Sequence, residues 1–248
     1  MLKMILVGAC GTMGHVVAGQ SYHNGFEIVA GIDRCEDSDL PFPVYDSFDK
    51  CAHTADVVID FSHPAILSDL LAFSLKNRLP VVVATTGMNE EHIESIQRAS
   101  EQIPVFFTFN MSLGVSLLTK LAQQAAALLG GSFDVEIIEK HHNQKIDAPS
   151  GTAIMLANAV KESLPFEADY VYERQSKRQK RRPDEIGIHS IRGGNIVGEH
   201  EIVFAGPDEI ITLSHSARSK VIFATGAYKA ARFIIDKKPG LYNMDDLL

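Results

Sequence analysis

The chain has 248 residues, 46% of them apolar and 22% charged, which suits a soluble globular protein of one large domain or two modest ones. Its 23 basic and 31 acidic side chains leave a net charge of -8, so no net basic field draws it to nucleic acid or an acidic membrane. Cys10, Cys35 and Cys51 fit neither a CxxC pair nor zinc-ligand spacing, and neither a signal peptide nor a membrane span of ~18 apolar residues is visible. These features read as a cytoplasmic protein in a reducing compartment, with no metal, no nucleic-acid partner and no membrane contact.

In chain order, the first half alternates compact apolar runs with longer amphipathic ones. Runs at 4–7, 27–32, 56–61, 80–84 and 104–109 have strand length, and several are continuously apolar, as expected of strands buried on both faces of a parallel sheet. Helical spacing occupies 13–22, 64–76, 89–102 and 112–129, with Asn89 and Ser112 as starts and Gly130-Gly131 as a stop. Strand alternating with helix predicts an α/β unit with a parallel sheet.

The order then changes. A strand at 133–142 leads through a polar loop to a helix at about 150–163, and strands follow at 169–172, 187–191, 199–205 and 210–216. The last two flank Gly206-Pro207-Asp208-Glu209, a hairpin turn, so this second unit carries a mixed or antiparallel sheet. A final helix at 219–235 stops at Pro239-Gly240, and its pattern alone leaves open which unit it packs on. The stretch 173–185 holds six basic residues without interleaved aromatics and reads as a solvated loop rather than a nucleic-acid site.

Two segments carry chemistry. Gly8-Ala9-Cys10-Gly11-Thr12-Met13-Gly14 leaves the first strand and opens the first helix, where a Gly-rich turn lets backbone amides approach a pyrophosphate. Asp33 ends the second strand 19 residues after Gly14, near the offset of a ribose-binding acid, and Arg34 beside it could pair with a 2′-phosphate. If the sheet is parallel, Ala84, Thr85 and Thr86, and Thr108, Phe109, Asn110 and Met111, converge on that turn as further cofactor contacts. The denser segment runs from Glu139 to Thr152. Adjacent strand residues point to opposite faces, so His141 and His142 would not chelate one metal. His141 and Lys145 would share a face if the extended conformation persisted, placing a proton donor beside a positive charge. Ser150, Gly151 and Thr152 open a helix, a natural seat for a substrate carboxylate. The other histidines, His200 among them, show no partner at matching spacing and receive no role.

The segment Glu136–Ala153, with its E-x-H-H-x-x-K-x-D-A-P-S-G-T-A run, resembles the signature of the 4-hydroxy-tetrahydrodipicolinate (dihydrodipicolinate) reductase family. The Gly8–Gly14 turn, Ala84–Gly87, Asn110–Val115 and Arg192–His200 match in the same order. The resemblance implies a Rossmann-type nucleotide-binding domain over 1–110, rejoined by the chain at 218–248, and a smaller α+β mixed-sheet domain over 111–217 for substrate binding and oligomerisation, typically into a homotetramer. It further implies NADH or NADPH as cofactor and a small dicarboxylate substrate. His141 would be the general acid or base and Lys145 a proton donor, with His142, Ser150, Gly151 and Thr152 around the dicarboxylate. Many members carry an arginine in the Gly-rich turn where this chain has Thr12, so NADH is expected to serve at least as well as NADPH. The Cys35–Ser47 connection is compact for the family. Another Rossmann oxidoreductase of amino acids or semialdehydes, and a nucleotide-sensing regulator, remain the alternative readings.

Overall fold

The structure is a computed structural model that describes residues 1–35 and 39–248; part of the Cys35–Ser47 connection therefore lies outside the described residues. Its elements in chain order are β1 (Leu2–Val7), α1 (Thr12–Gln20), β2 (Phe26–Ile32), β3 (Val44–Tyr45), β4 (Val57–Asp60), α2 (Leu67–Asn77), β5 (Val81–Val83), α3 (Glu90–Ser100) and β6 (Pro104–Phe107). There follow α4 (Leu113–Leu129), β7 (Asp134–His141), α5 (Gly151–Ser163), β8 (Asp169–Val171), β9 (Glu185–Arg192), β10 (Gly198–Ala205), β11 (Ile210–Ala217), α6 (Val221–Ile234) and β12 (Gly240–Tyr242). The chain forms two compact units, Met1–Leu113 with Lys220–Leu248, and Gly114–Ser219.

The first unit is a seven-stranded sheet in the order β12-β6-β5-β4-β1-β2-β3, parallel throughout. From β3 to β6 this is the doubly wound 3-2-1-4-5-6 order. Its strands are apolar on both faces because both faces are covered. Alternate residues of β1 go to opposite cores: Met4 and Leu6 pack with α6 residues Ala227, Tyr228 and Ala231, and Ile5 and Val7 pack with Leu70, Leu71 and Ile96 of α2 and α3. The helix α3 starts with a capping box in which Asn89 Oδ1 accepts from the His92 amide and His92 Nδ1 accepts from the Asn89 amide. At Gly226 of α6 a Cβ would lie 1.7 Å from the Met111 carbonyl oxygen, so only glycine allows that approach.

The second unit is a five-stranded sheet in the order β11-β10-β7-β9-β8. The β11-β10 and β10-β7 pairs are antiparallel, whereas β7-β9 and β9-β8 are parallel. Leu118, Ala122 and Ala126 of α4 and Ala153, Leu156, Ala157 and Val160 of α5 cover one face. Under them lie ordered layers, since the register puts Val135 beside Ile186 and Phe204, and Ile137 beside Ile188 and Ile202. The six-residue basic run expected to be a solvated loop is partly spent within this unit. Arg174 bonds Glu136 and Glu185, Arg181 bonds Asp134 and Glu136, and Arg182 bonds Asp169 and Asp184. Acidic side chains at the β7 and β8-β9 end of the sheet supply partners that the local sequence does not.

Candidate functional site

In the first unit the strand-to-helix turn is built on two close approaches. Gly8 has φ +79, and a Cβ there would meet the Phe61 carbonyl oxygen at 2.5 Å; a Cβ at Gly14 would meet the Gly8 carbonyl oxygen at 2.2 Å. Gly11 is the N-cap of α1 and provides no side chain, so no side-chain oxygen caps the first-turn amides of that helix. That arrangement fits an anionic pyrophosphate at the helix N-terminus. Asp33 is fixed at the end of β2, where Oδ2 accepts from the Cys10 amide at 2.8 Å and Oδ1 from the Arg34 amide at 2.7 Å. Gly8, Gly11, Asp33, Arg34, Phe61 and Ser62 line a cleft of about 790 Å³.

Other predicted cofactor contacts divide. Cys10 is tied to Cys35 by a disulfide across a sequence separation of 25, a pairing not anticipated by reading the cysteines as those of a reducing compartment. Spacing alone could not show it, because β2 must first carry Cys35 back beside the turn. Ala9 and Ala84 are buried, Thr12 and Thr86 are exposed, and Met13 is half-buried. Thr85 is buried with its Oγ1 accepting from the Ser62 amide at 2.8 Å. The Thr108 hydroxyl donates to the Asn110 carbonyl at 3.1 Å, Asn110 Oδ1 accepts from the Ser112 amide, and Phe109 is exposed. Met111 belongs to the core, which corrects its side chain from a cofactor contact to a packing residue. The strand end Asp60-Phe61-Ser62, also expected to converge on the turn, has Asp60 buried at the end of β4, where burial pushes its carboxyl up to about 6 against hydrogen bonds from Ser62 and Thr85.

In the second unit the layers under the helices change chemistry at the end of β7. The register continues past the aliphatic layers to His200–Glu139–Ser190 and then His141–Arg192. Glu139 and His141 therefore stand on the buried face beneath the start of α5, which makes them 0% and 9% exposed. The Glu139 carboxylate accepts from His141 Nδ1 at 2.6 Å, from Arg192 Nη1 and Nη2 at 2.8 and 2.7 Å, and from the Ser150 amide at 3.1 Å. Burial works to raise this carboxyl, but the hydrogen bonds from Arg192, His141 and Ser190 outweigh it and hold it down to about 2. Burial also dominates at His141 and lowers its imidazole; Glu139 pushes it up, and the charges of Lys145 and Arg192 push it further down.

The strand ends at His141, and the Lys145 amide donates back to the His142 carbonyl in a turn. The expected common strand face of His141 and Lys145 is thus not formed; Gly193 and Gly194 instead bond the backbone of His141 and Asn143. Lys145 still acts on His141 through its charge and pairs with Asp147 Oδ1 at 2.8 Å. Although burial opposes it, the Lys145 hydrogen bond and charge and the Gly151 amide hold the Asp147 carboxyl below its usual range. Lys145 and the N-terminus of α5 already bind a carboxylate here. Ser150 is committed within the fold. It is 2% exposed, its Oγ accepts from the Ala153 amide at 3.1 Å and lies 3.1 Å from His200 Nε2, so it caps the helix. Gly151 is exposed, and Thr152 and His142 are half-buried. Among the described residues no group of three or more His, Cys, Asp or Glu side chains could hold a metal ion.

A Gly-rich parallel-sheet unit and a mixed-sheet unit with an ionisable layer at a helix start together define the fold class of dinucleotide-dependent oxidoreductases. The structure of GenD2 from gentamicin A biosynthesis, solved in complex with NAD, shares the fold: it aligns at TM-score 0.61 and 16% identity over 95% of this chain and 85% of its own. Residues 2–111 match the family described as dihydrodipicolinate reductase, N-terminus, and residues 114–248 match its C-terminus. The chain belongs to the dihydrodipicolinate reductase family. A 4-hydroxy-tetrahydrodipicolinate reductase of Caldanaerobacter subterraneus subsp. tengcongensis is 51% identical over 100% of this chain and 98% of its own, and one of Clostridium novyi is 47% identical with the same coverage. The dipicolinate-bound dihydrodipicolinate reductase of Paenisporosarcina sp. TG-14 aligns at TM-score 0.84 and 26% identity over the whole of both chains.

Proposed function

We propose that the chain reduces 4-hydroxy-tetrahydrodipicolinate, or its dehydrated form, to tetrahydrodipicolinate in the diaminopimelate route to lysine. The observation that carries this reading is the His141–Glu139–Arg192 layer set at the N-terminus of α5, in a chain that matches the family over nearly its full length. NADH or NADPH supplies the hydride when bound, with the turn at Gly8–Gly14 receiving the pyrophosphate and Asp33 the adenosine ribose. His141 moves a proton at Nε2, because Nδ1 is committed to Glu139. Lys145 places positive charge against the substrate and supplies a proton, while Gly151 and Thr152 receive a carboxylate at the helix start. A substrate carboxylate would take the place that Asp147 now holds between Lys145 and the Gly151 amide.

The assay adds the condensation product of pyruvate and aspartate semialdehyde to enzyme with NADH or NADPH and follows loss of reduced cofactor. Turnover is expected with both, and NADH serves at least as well, since Thr12 stands in the turn and Arg34 offers a single guanidinium. A large preference for NADPH in the Michaelis constants would contradict that part. His141→Ala and Lys145→Ala are each expected to cut kcat by ~10²- to 10⁴-fold while leaving cofactor affinity nearly intact. Near-normal turnover in both variants would remove the mechanism. We place subunit contacts on the sheet face of the second unit not covered by α4 and α5, giving a homotetramer; a monomer mass by light scattering would refute it. No helix among the described residues is long and apolar enough to cross a membrane, and a cytoplasmic location is the reading we adopt.

A further inference from the structure

We propose that Glu139 is a positioning residue for His141, and that with Arg192 it fixes the acid, the carboxylate seat and the Lys145 loop in one frame. The inference rests on the activity proposed above. Glu139 is 0% exposed, and a lone carboxylate there would be costly to bury; donors from His141, Ser150, Ser190 and Arg192, on three chain segments, compensate it. Those donors belong to the parts that must be registered with one another. His141 lies two residues along the same face of β7, and Ser150 caps α5, whose start receives a carboxylate. Arg192 reaches across from β9 and also donates to the Asp147 carbonyl at 2.6 Å, which ties down the segment carrying Lys145 and Asp147.

An ionised carboxylate only accepts, so Nδ1 of His141 must carry the hydrogen. The titrating atom is then Nε2, which faces Gly198: a Cβ at that position would stand 3.1 Å from it. The charged and titratable groups facing His141 are Glu139 from its own strand, Arg192 from β9, His200 from β10 at 5.2 Å between ring centroids, and Lys145 with its partner Asp147 from the loop. Of those that act on its imidazole, Glu139 is the one that raises its proton affinity; burial, Lys145 and Arg192 lower it. Replacing the carboxylate by an amide removes that support. Because Arg192 would claim the amide oxygen, the amide nitrogen would face Nδ1 and donate to it, moving the imidazole hydrogen to Nε2.

The test compares wild type, Glu139→Gln, Glu139→Asp and His141→Ala, with the double variant Glu139→Gln/Arg192→Met to avoid an uncompensated guanidinium. Expected for Glu139→Gln is a fall in kcat of ~10-fold or more, smaller than that of His141→Ala, with NADH dissociation constants within about twofold of wild type. The limb of the kcat/KM profile governed by His141 should move to lower pH, and Glu139→Asp should restore part of both changes. Imidazole ¹⁵N NMR should show the Nδ1–H tautomer in wild type and its loss in Glu139→Gln, whether or not the assayed substrate is the right one. Wild-type inactivity toward the condensation product would therefore overturn the proposed activity while the NMR titration still decides the positioning. An unchanged tautomer and titration of His141 in the folded Glu139→Gln variant would overturn the proposal, as would a pH profile of that variant that coincides with wild type, or wild-type kcat in the folded double variant.

Discussion

His200 is 5% exposed, and burial, helped by His141, His215 and Lys145 and opposed by Glu139, pushes its imidazole down to about 4. At neutral pH it is uncharged and pairs with the Ser150 hydroxyl. Between its usual value of 6.5 and about 4, the unfolded chain binds a proton that the folded chain refuses, so stability falls as pH falls through that window. The contribution is at most ~3 kcal/mol at full shift. Glu139 acts lower down: its carboxylate is depressed to about 2, so the stability it contributes above 4.5 is lost as pH falls from there. His200→Gln should flatten the slope of Tm against pH between about 6.5 and 4 and leave the steeper loss below it; an unchanged slope would show that His200 titrates normally. None of this is readable locally. His200 looks like an unpartnered strand histidine because its hydrogen-bond partner Ser150 lies 50 positions away, and Glu139 shows its near partners His141 and Ser150 but not Arg192, 53 residues on. The histidines, the lysine and the Ser-Gly-Thr start were legible because their spacing is short. The Lys145 expectation failed for a related reason: it assumed that β7 continues, whereas the Gly193-Gly194 turn engages the backbone there and ends it.

At the level of elements, glycines separate packing from propensity. Gly226 in α6 sits against the Met111 carbonyl, which is backbone and cannot rotate away, so Gly226→Ala should lose ~1–3 kcal/mol of stability. Gly19, within α1, has nothing within 4 Å of its Cβ direction, and Gly19→Ala should gain ~0.5–1 kcal/mol from helix propensity. Denaturant midpoints of the two variants check this, and shifts of equal sign would contradict it. Most elements were visible in the sequence within two residues or so, because runs of Val, Ile and Phe and capped amphipathic helices are strong patterns. Those missed are β3 and β12, two and three residues long. A period cannot be read over so few residues, and β12 begins at the very Gly240 that reads as a stop. Its strand character comes from β6, which supplies a paired edge at Pro104–Phe106.

For the molecule as a whole, the change from alternating strands and helices to successive strands foretold a parallel sheet followed by a mixed one. Strand order was not legible: β1 lies between β2 and β4, and β7 between β10 and β9, through crossovers that only packing decides. The same limit applies to α6, whose apolar face is compatible with any large core. In the structure it packs against β4, β5, β6 and α1, and the Tyr228 hydroxyl donates to the Val17 carbonyl over a separation of 211 residues. A chain shortened to 1–219 should therefore leave Met4, Leu6, Val82 and Phe106 bare on one side of the first sheet. Insoluble expression, or soluble protein with strong dye binding to apolar surface, is the expected result; a monomer with wild-type Tm would refute it. The late position of α6 also bears on biosynthesis. At ~5–20 residues per second, roughly 5 to 20 seconds pass between synthesis of β6, the sixth of its seven strands, and synthesis of the helix that covers it. During that interval the nascent chain carries an open apolar sheet face on the ribosome, which makes the nucleotide-binding half, though made first, the last to be finished and the part most in need of a chaperone.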